Sequence, residues 1–250
     1  MDKKSGWGLI YKEYYMCKKY MKDTGITAIV MSILLILVLA SFQYGNLSLL
    51  NIGDKEQMYE MALVFGKYTP IFLFVCICFI NVEASMKEED GKWRRFQMIT
   101  PLNGFQFAFY KLAFCFCMMC IMLVITKVYC FIYDTVLGVD HTGEMGIVFT
   151  LLAGIVFFEV IFLFYGVLLG SYEKGGLAGF MTFFCILGIL YAIFKDKIVK
   201  IFADVEWETQ ALTKIGEIGE KLLPYSVCVL LFGYVFGVIS LGLVYNRREK

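Results

Sequence analysis

The chain has 250 residues, of which 60% are hydrophobic, 17% aromatic and 18% charged, and its formal net charge is +1. With a mean hydropathy of +0.71, this composition is typical of a membrane protein and excludes a soluble domain built around one apolar core. We expect no nucleic-acid partner.

Six apolar stretches are long enough to cross a bilayer. A spanning helix needs about 20 mostly apolar residues, because about 30 Å of hydrocarbon is crossed at 1.5 Å per residue. The stretches are residues 25–44, 61–82, 105–133, 146–170, 177–194 and 222–245. The sequence therefore predicts an all-α membrane protein with six transmembrane helices in a domain over residues 25–245, followed by a tail at 246–250.

Residues 1–24, before the first span, have a helical pattern. Aromatic and apolar side chains recur at helical spacing, and lysines occupy the other faces. The first group comprises Trp7, Ile10, Tyr11, Tyr14, Cys17 and Met21. The pattern predicts an amphipathic interfacial helix whose lysines meet anionic lipid, each contributing about 1 kcal/mol. A basic flank that only fixes topology is the alternative.

The orientation follows from lysine and arginine in the short loops. If both termini are cytoplasmic, the inner segments carry 14 of these residues and the outer segments six. The bias predicts cytoplasmic termini and a multi-pass protein of the plasma membrane. The last outer segment, residues 195–221, contains no proline and has apolar residues at helical spacing, so it is predicted to form one or two short amphipathic helices.

The cytoplasmic loop over residues 83–104 combines acids, bases and a tryptophan. A loop that only holds topology needs positive charges alone, whereas acids followed by bases and an aromatic residue indicate a short helix that offers a surface to a partner. The residues concerned are Glu88, Glu89, Asp90, Lys92, Trp93, Arg94, Arg95 and Pro101.

The order of acids, tryptophan, arginines and proline in this loop, followed by Lys111 in the next span, resembles the first cytoplasmic loop of type-2 ABC permeases. Ile99-Thr100-Pro101 stands where threonine-leucine-proline is usual in that family. The six-span topology is also similar to that of small permeases from Gram-positive bacteria. Among these are exporters of phenol-soluble modulins, which are amphipathic cytolytic peptides.

The resemblance implies a permease subunit that exports amphipathic or hydrophobic peptides. The loop would couple it to a separate ATPase, present in two copies that bind ATP and Mg, and Tyr172, Glu173 and Lys174 would form a second cytoplasmic contact. A second permease chain, identical or related, would complete the complex. The residues agree in one respect: the sequence contains no G-x-x-x-x-G-K-[ST] phosphate-binding run, so we expect this chain to bind no ATP and not to be an enzyme.

Among the ionisable residues within predicted spans are Glu159, near the middle of the fourth, and Lys127, near the outer end of the third. A charge in a span is costly and needs protein, water or a partner. Three interpretations stay open: the two side chains pair, Glu159 is protonated, or they line a transport pathway. The glycine pairs Gly166/Gly170 and Gly233/Gly237 could mark contacts between subunits.

No metal site is predicted. Of Cys115, Cys117 and Cys120, only the last two share a helix face, and packing explains buried thiols. His141 lies beside acids in an outer loop, Asp134 to Glu144, which is typical of a solvated surface.

Two other classes of function would also place a protein in the membrane. A non-transporting immunity or sensor-partner protein would explain the spans equally well but does not require a loop that engages an ATPase. An intramembrane protease with a Glu-Glu-x-x-x-Arg motif is excluded, because Trp93 occupies the arginine position after Glu88.

Overall fold

A computed structural model describes residues 3–44, 55–90, 102–139, 143–203 and 211–248. These residues form seven helices and contain no strand. The helices are α1 Lys3–Tyr44, α2 Lys55–Cys76, α3 Ile80–Asp90, α4 Gly104–Leu137, α5 Glu144–Leu169, α6 Tyr172–Ala203 and α7 Ala211–Arg248.

The prediction of an all-α protein with six spans is confirmed. In the part of the chain that is described, six segments are helical, long and apolar enough to cross a membrane. They are Gly6–Tyr44, Met61–Glu89, Gly104–Leu137, Glu144–Leu169, Tyr172–Ile193 and Thr213–Arg247. The second of these is made of two helices, α2 and α3. We call the end of the bundle that holds Glu88 the inner end and the opposite end the outer end, following the predicted orientation.

Helix α5 is the centre of one half of the bundle, where it packs against α6 and α7, while α1 packs against α2, α3 and α4 in the other half. Helix α4 joins the halves through α7. Near the outer end α5 and α7 approach so closely that a Cβ atom on Gly146 would overlap the backbone of Gly219. Small residues allow such backbone contact between helices in a membrane.

Helix α1 has no end at the predicted boundary between residues 24 and 25. It is one helix of 42 residues, Lys3–Tyr44, because a single glycine, Gly25, does not terminate a helix that is otherwise supported. Glu13 and Cys17 are fully buried against the bundle, whereas Trp7 and Tyr11 are 70% and 68% exposed. The first half of α1 is thus part of the bundle, and contact of its exposed aromatic residues with lipid headgroups stays a prediction.

The second span changes its hydrogen bonding around Pro70. Proline has no N–H, so the carbonyl of Gly66, four residues earlier, loses its helical partner. The hydroxyl of Tyr129 in α4 donates to this carbonyl at 2.5 Å. One turn earlier the Tyr133 hydroxyl donates to the carbonyl of Leu63 at 2.7 Å. Two tyrosines of α4 therefore hold α2 in place.

A break interrupts the second span between α2 and α3. In place of helical bonds, the amides of Ile77, Cys78 and Phe79 donate to carbonyls three residues earlier, at 3.2, 3.0 and 3.1 Å. Helix then resumes at Ile80 and continues to Asp90. The first residues of the predicted loop over 83–104 are thus helical.

The outer segment over residues 195–221 is helical where it is described, but it does not form separate helices. Helix α6 continues through Ala203, and α7 begins at Ala211. No glycine or proline lies between residues 189 and 203, so nothing in the sequence ends α6 at the membrane boundary.

Candidate functional site

The acidic part of the predicted coupling loop lies in the last turn of α3. Glu88 and Glu89 are described there, and Asp90 is the final residue of the helix. The remaining residues of this prediction lie outside the described part of the chain. They are Lys92, Trp93, Arg94, Arg95 and Pro101.

Glu88 belongs to a buried charge cluster at the inner end, which also contains Lys12, Glu13 and Lys111. Glu88 Oε2 accepts a hydrogen bond from Lys111 Nζ at 3.1 Å, and Glu88 Oε1 accepts one from Lys12. Glu13 lies 3.6 Å from Lys12 and 3.8 Å from Lys111. Two acids thus face two lysines in a region of low dielectric, which is the condition under which buried charges are tolerated.

Aromatic rings surround Lys111. Its Nζ lies 5.8 Å from the ring centroid of Tyr172 and 6.0 Å from that of Phe107. These distances are within the range of a cation–π interaction. The Tyr172 ring in turn stacks on Phe162 of α5, with centroids 5.9 Å apart. The cluster therefore joins α1, α3, α4, α5 and α6.

Glu89 caps the first turn of α6. Its Oε2 accepts hydrogen bonds from the backbone amides of Tyr172 at 2.5 Å and Glu173 at 3.3 Å. A carboxylate is favourable at a helix N-terminus because it satisfies free amides and complements the helix dipole. Two segments predicted as separate cytoplasmic contacts, the end of α3 and the beginning of α6, are thus brought together.

The burial of these residues differs from what the sequence led us to expect. The side chains of Glu88 and Tyr172 are 0% and 1% exposed, so they lie inside the inner end of the bundle, and their part in a contact with an ATPase stays a prediction. Glu173 and Lys174 are exposed beside them. Sequence reasoning missed the interior position of Glu88 because its partners are 23 and 76 residues away.

Glu159 of α5 contacts the beginning of α3. Its Oε1 accepts from the backbone amide of Asn81 at 3.0 Å, and its Oε2 accepts from the Asn81 side-chain amide at 2.9 Å. The Cys115 thiol donates to Oε2 at 3.0 Å. Of the three interpretations, pairing of Glu159 with Lys127 is not what the structure contains, since three other donors surround the carboxylate.

A second buried charge cluster lies at the outer end. Lys67 of α2 is fully buried, with its Nζ 2.7 Å from Asp134 and 3.7 Å from Glu144. Lys127 lies 3.4 Å from Glu144 and has a side chain that is 58% exposed. The expectation of a solvated surface was wrong for Asp134 and Glu144, which are almost fully buried. His141 lies outside the described residues.

A small cavity borders Glu159 between α4, α5 and α7. Its volume is about 10 Å³, close to what one water needs. It is lined by apolar side chains and by Glu159, among them Leu112, Met119 and Val156. A peptide cannot enter a space of this size, so this cavity is not a transport pathway.

Cys115 is buried within the bundle, whereas Cys117 and Cys120 are exposed. Gly166 packs against Tyr172, and Gly237 against Val160 and Leu112. Gly166, Gly233 and Gly237 thus pack within one chain, and a contact between subunits at either pair stays a prediction. Among the described residues no group of three or more His, Cys, Asp or Glu side chains could hold a metal ion.

A family model described as ABC-2 family transporter protein matches residues 57–246, well over half of the chain. The chain belongs to this family. It is therefore the multi-pass membrane component of an ABC transporter, and the ABC-2 family implies a separate ABC ATPase as its partner. No curated protein and no solved structure matches the chain.

Proposed function

We propose that this ABC-2 permease is the membrane subunit of an exporter and that its ATPase acts on the inner end through residues 88–101 and 171–176. The observation that carries the proposal is the cap that Glu89 forms on α6, at 2.5 Å from the amide of Tyr172. Because of this bond, a partner seated on the segment that follows α3 would also reach the exposed Glu173 and Lys174. One docking surface would thus act on two spans.

Within this surface Trp93 is the proposed buried anchor, and Arg94 and Arg95 orient the ATPase, since tryptophan and arginine are enriched among residues that dominate interface energies. Co-purification from native membranes, followed by mass spectrometry, tests the contact. Charge reversal at Arg94 and Arg95 should remove a P-loop ATPase from the sample. The matched control reverses Lys18 and Lys19, which are exposed on α1, and should retain it. An ATPase absent from the unsubstituted sample, or retained after reversal at Arg94 and Arg95, would contradict the proposal.

The anchor role of Trp93 has its own test in the reconstituted transporter. Trp93→Ala should abolish export while ATP hydrolysis and the membrane fold persist, because the buried contact that transmits movement is lost. Trp7→Ala is the control, since Trp7 is 70% exposed and distant in sequence. Full export by the Trp93→Ala permease would contradict the role of Trp93 as the buried anchor.

We further propose that two permease chains, identical or related, assemble with two ATPases. Six spans are few for a path that a peptide can follow, and a two-fold pair would double them. The span in α6 supports this, because it is the least covered by its own chain, with 6% of its apolar window buried. Oxidative cross-linking through Cys185, exposed on α6, should yield a dimer that Cys185→Ala abolishes and Cys228→Ala does not.

The proposed cargo is an amphipathic or hydrophobic peptide, as in the exporters that the sequence resembles. The test is ATP hydrolysis by the reconstituted complex with and without an amphipathic helical peptide. A peptide of the same composition, scrambled so that its apolar residues no longer share a face, is the control. Equal rates with both peptides would rule out recognition of an amphipathic face.

A further inference from the structure

The break in the second span is built from contacts with other helices. Two backbone carbonyls around it accept from side chains of α1: Tyr20 donates to Cys76 at 2.7 Å, and Cys17 donates to Ile80 at 3.1 Å. The Sγ atom of Cys115 in α4 lies 3.7 Å from the carbonyl of Cys78. Within a membrane, free carbonyls find no water, so an interrupted helix persists only where the protein supplies partners. Neighbouring helices of the bundle therefore supply the hydrogen-bond partners that support the break.

The amides at the start of α3 find their partner in Glu159. The first amides of a helix lack partners in the helix itself and carry a partial positive charge. Asn81 directs its backbone N–H and its side-chain amide at the two oxygens of Glu159, at 3.0 and 2.9 Å. A carboxylate in a span is costly on its own. Here the helix start and the carboxylate satisfy each other, which explains why an acid lies at this depth.

Helix α3 is thus held at both ends. Its N-terminus is bound by Glu159, and its C-terminus is bound through Glu88 and Glu89 to the inner charge cluster and to α6. It has 11 residues, which is about 16 Å at 1.5 Å per residue. A short helix separated from α2 by residues 77–79 can rotate without bending.

We infer that Glu159 is a positioning residue that holds α3 as a lever between the centre of the membrane and the segment that follows Asp90, with residues 77–79 as its hinge. The hinge itself follows from the contacts above. That the lever transmits movement from an ATPase rests on the proposed function.

The hinge is tested in the full chain in nanodiscs, without any partner, by distances between two spin labels. Labels on noncanonical amino acids at Phe65 and Met86, which are 70% and 40% exposed, report the angle between α2 and α3 and leave the native cysteines intact. Glu159→Gln should raise the population outside the main distance peak roughly tenfold, the change expected on loss of one helix cap. Glu217→Gln, the same substitution at a carboxylate that is 49% exposed on α7, should leave the distribution unchanged.

Two substitutions of the donors to Glu159 test the hinge if the Glu159→Gln chain does not fold. Asn81→Ala and Cys115→Ala each remove one donor to the carboxylate, and each should widen the distribution by a smaller amount. A distribution unaltered in both variants would overturn the hinge. With the ATPase bound, addition of ATP should shift the distance in the unsubstituted chain. A hinge that responds to Glu159→Gln but not to ATP would support the positioning role and refute the coupling.

Discussion

Glu88 and Lys111 form a pair from which water is excluded, since both are 0% exposed. Their separation of 3.1 Å gives a direct hydrogen bond between charged groups, with Lys12 and Glu13 completing the balance. A pair of this kind contributes little compared with apolar residues of the same shape, but removal of one partner leaves the other charge buried and uncompensated. The inner end therefore depends on both charges being present.

Glu88→Gln should destabilise the chain by about 3–5 kcal/mol for this reason. Denaturant unfolding in mixed micelles measures the change, and a double-mutant cycle with Lys111→Met should give an interaction free energy of roughly 1–3 kcal/mol. Glu83→Gln is the control, because Glu83 pairs with Lys87 while 34% exposed, where a substitution costs within about 0.5 kcal/mol. Equal effects at positions 83 and 88 would contradict the buried pair.

The outer cluster permits a comparison of two lysines that face the same acid. Lys67→Met removes a buried cation that faces both Asp134 and Glu144, and should cost about 3–5 kcal/mol in the same assay. Lys127→Met should cost less than about 1 kcal/mol, because its side chain is 58% exposed and water screens the pair. If the order were reversed, Lys67 could not be the central charge of the cluster.

These partners could not be identified from one sequence. Lys67 and Asp134 are 67 residues apart, and Lys12 and Glu88 are 76 apart, so no local pattern connects them. A physical signal was nevertheless present. Lys67 and Lys111 lie in stretches that are otherwise apolar, and a lysine in a span requires an acid nearby.

At the scale of the helices, apolar length predicted the six spans because each span must cover the same hydrocarbon thickness. The break in the second span was not predictable, since Ile77, Cys78 and Phe79 are apolar and contain neither glycine nor proline. Its partners, Tyr20 and Glu159, come from the first and fourth spans. Likewise, residues 3–44 form the single helix α1 with Glu13 and Cys17 buried in the bundle. Periodicity alone does not predict that burial.

The crossing of α5 and α7 should be sensitive to a single methyl group. Gly146→Ala places a Cβ against the backbone of Gly219, and overpacking of this kind costs about 1–3 kcal/mol. Gly154→Ala lies in the same helix with no atom near the added Cβ, so it should be neutral or stabilise by up to about 1 kcal/mol through helix propensity. Unfolding measurements on both variants test the contact, and equal stability of the two would contradict it.

At the scale of the molecule, the alternation of six spans places the end of α3 and the start of α6 on one side and the start of α7 on the other. Lys174→Cys should react with an impermeant thiol reagent only from the cytoplasm. Glu217→Cys, at a position where the native side chain is 49% exposed, should react only from outside. The unsubstituted chain is the control for its native cysteines. Labelling of both positions from one side would require a different number of spans.

The two partners whose hydrogen bonds support the hinge, Asn81 and Glu159, are synthesised at different times. Asn81 leaves the ribosome 78 residues before Glu159, a delay of about 4–16 s at roughly 5–20 residues per second. During that interval the amides at the start of α3 have no acceptor, and an unbroken helix is the only way for an isolated span to satisfy its backbone in lipid. We expect the second span to enter the bilayer straight and to fold at residues 77–79 only when the fourth span arrives. The final shape of an early segment is thus decided by a later one.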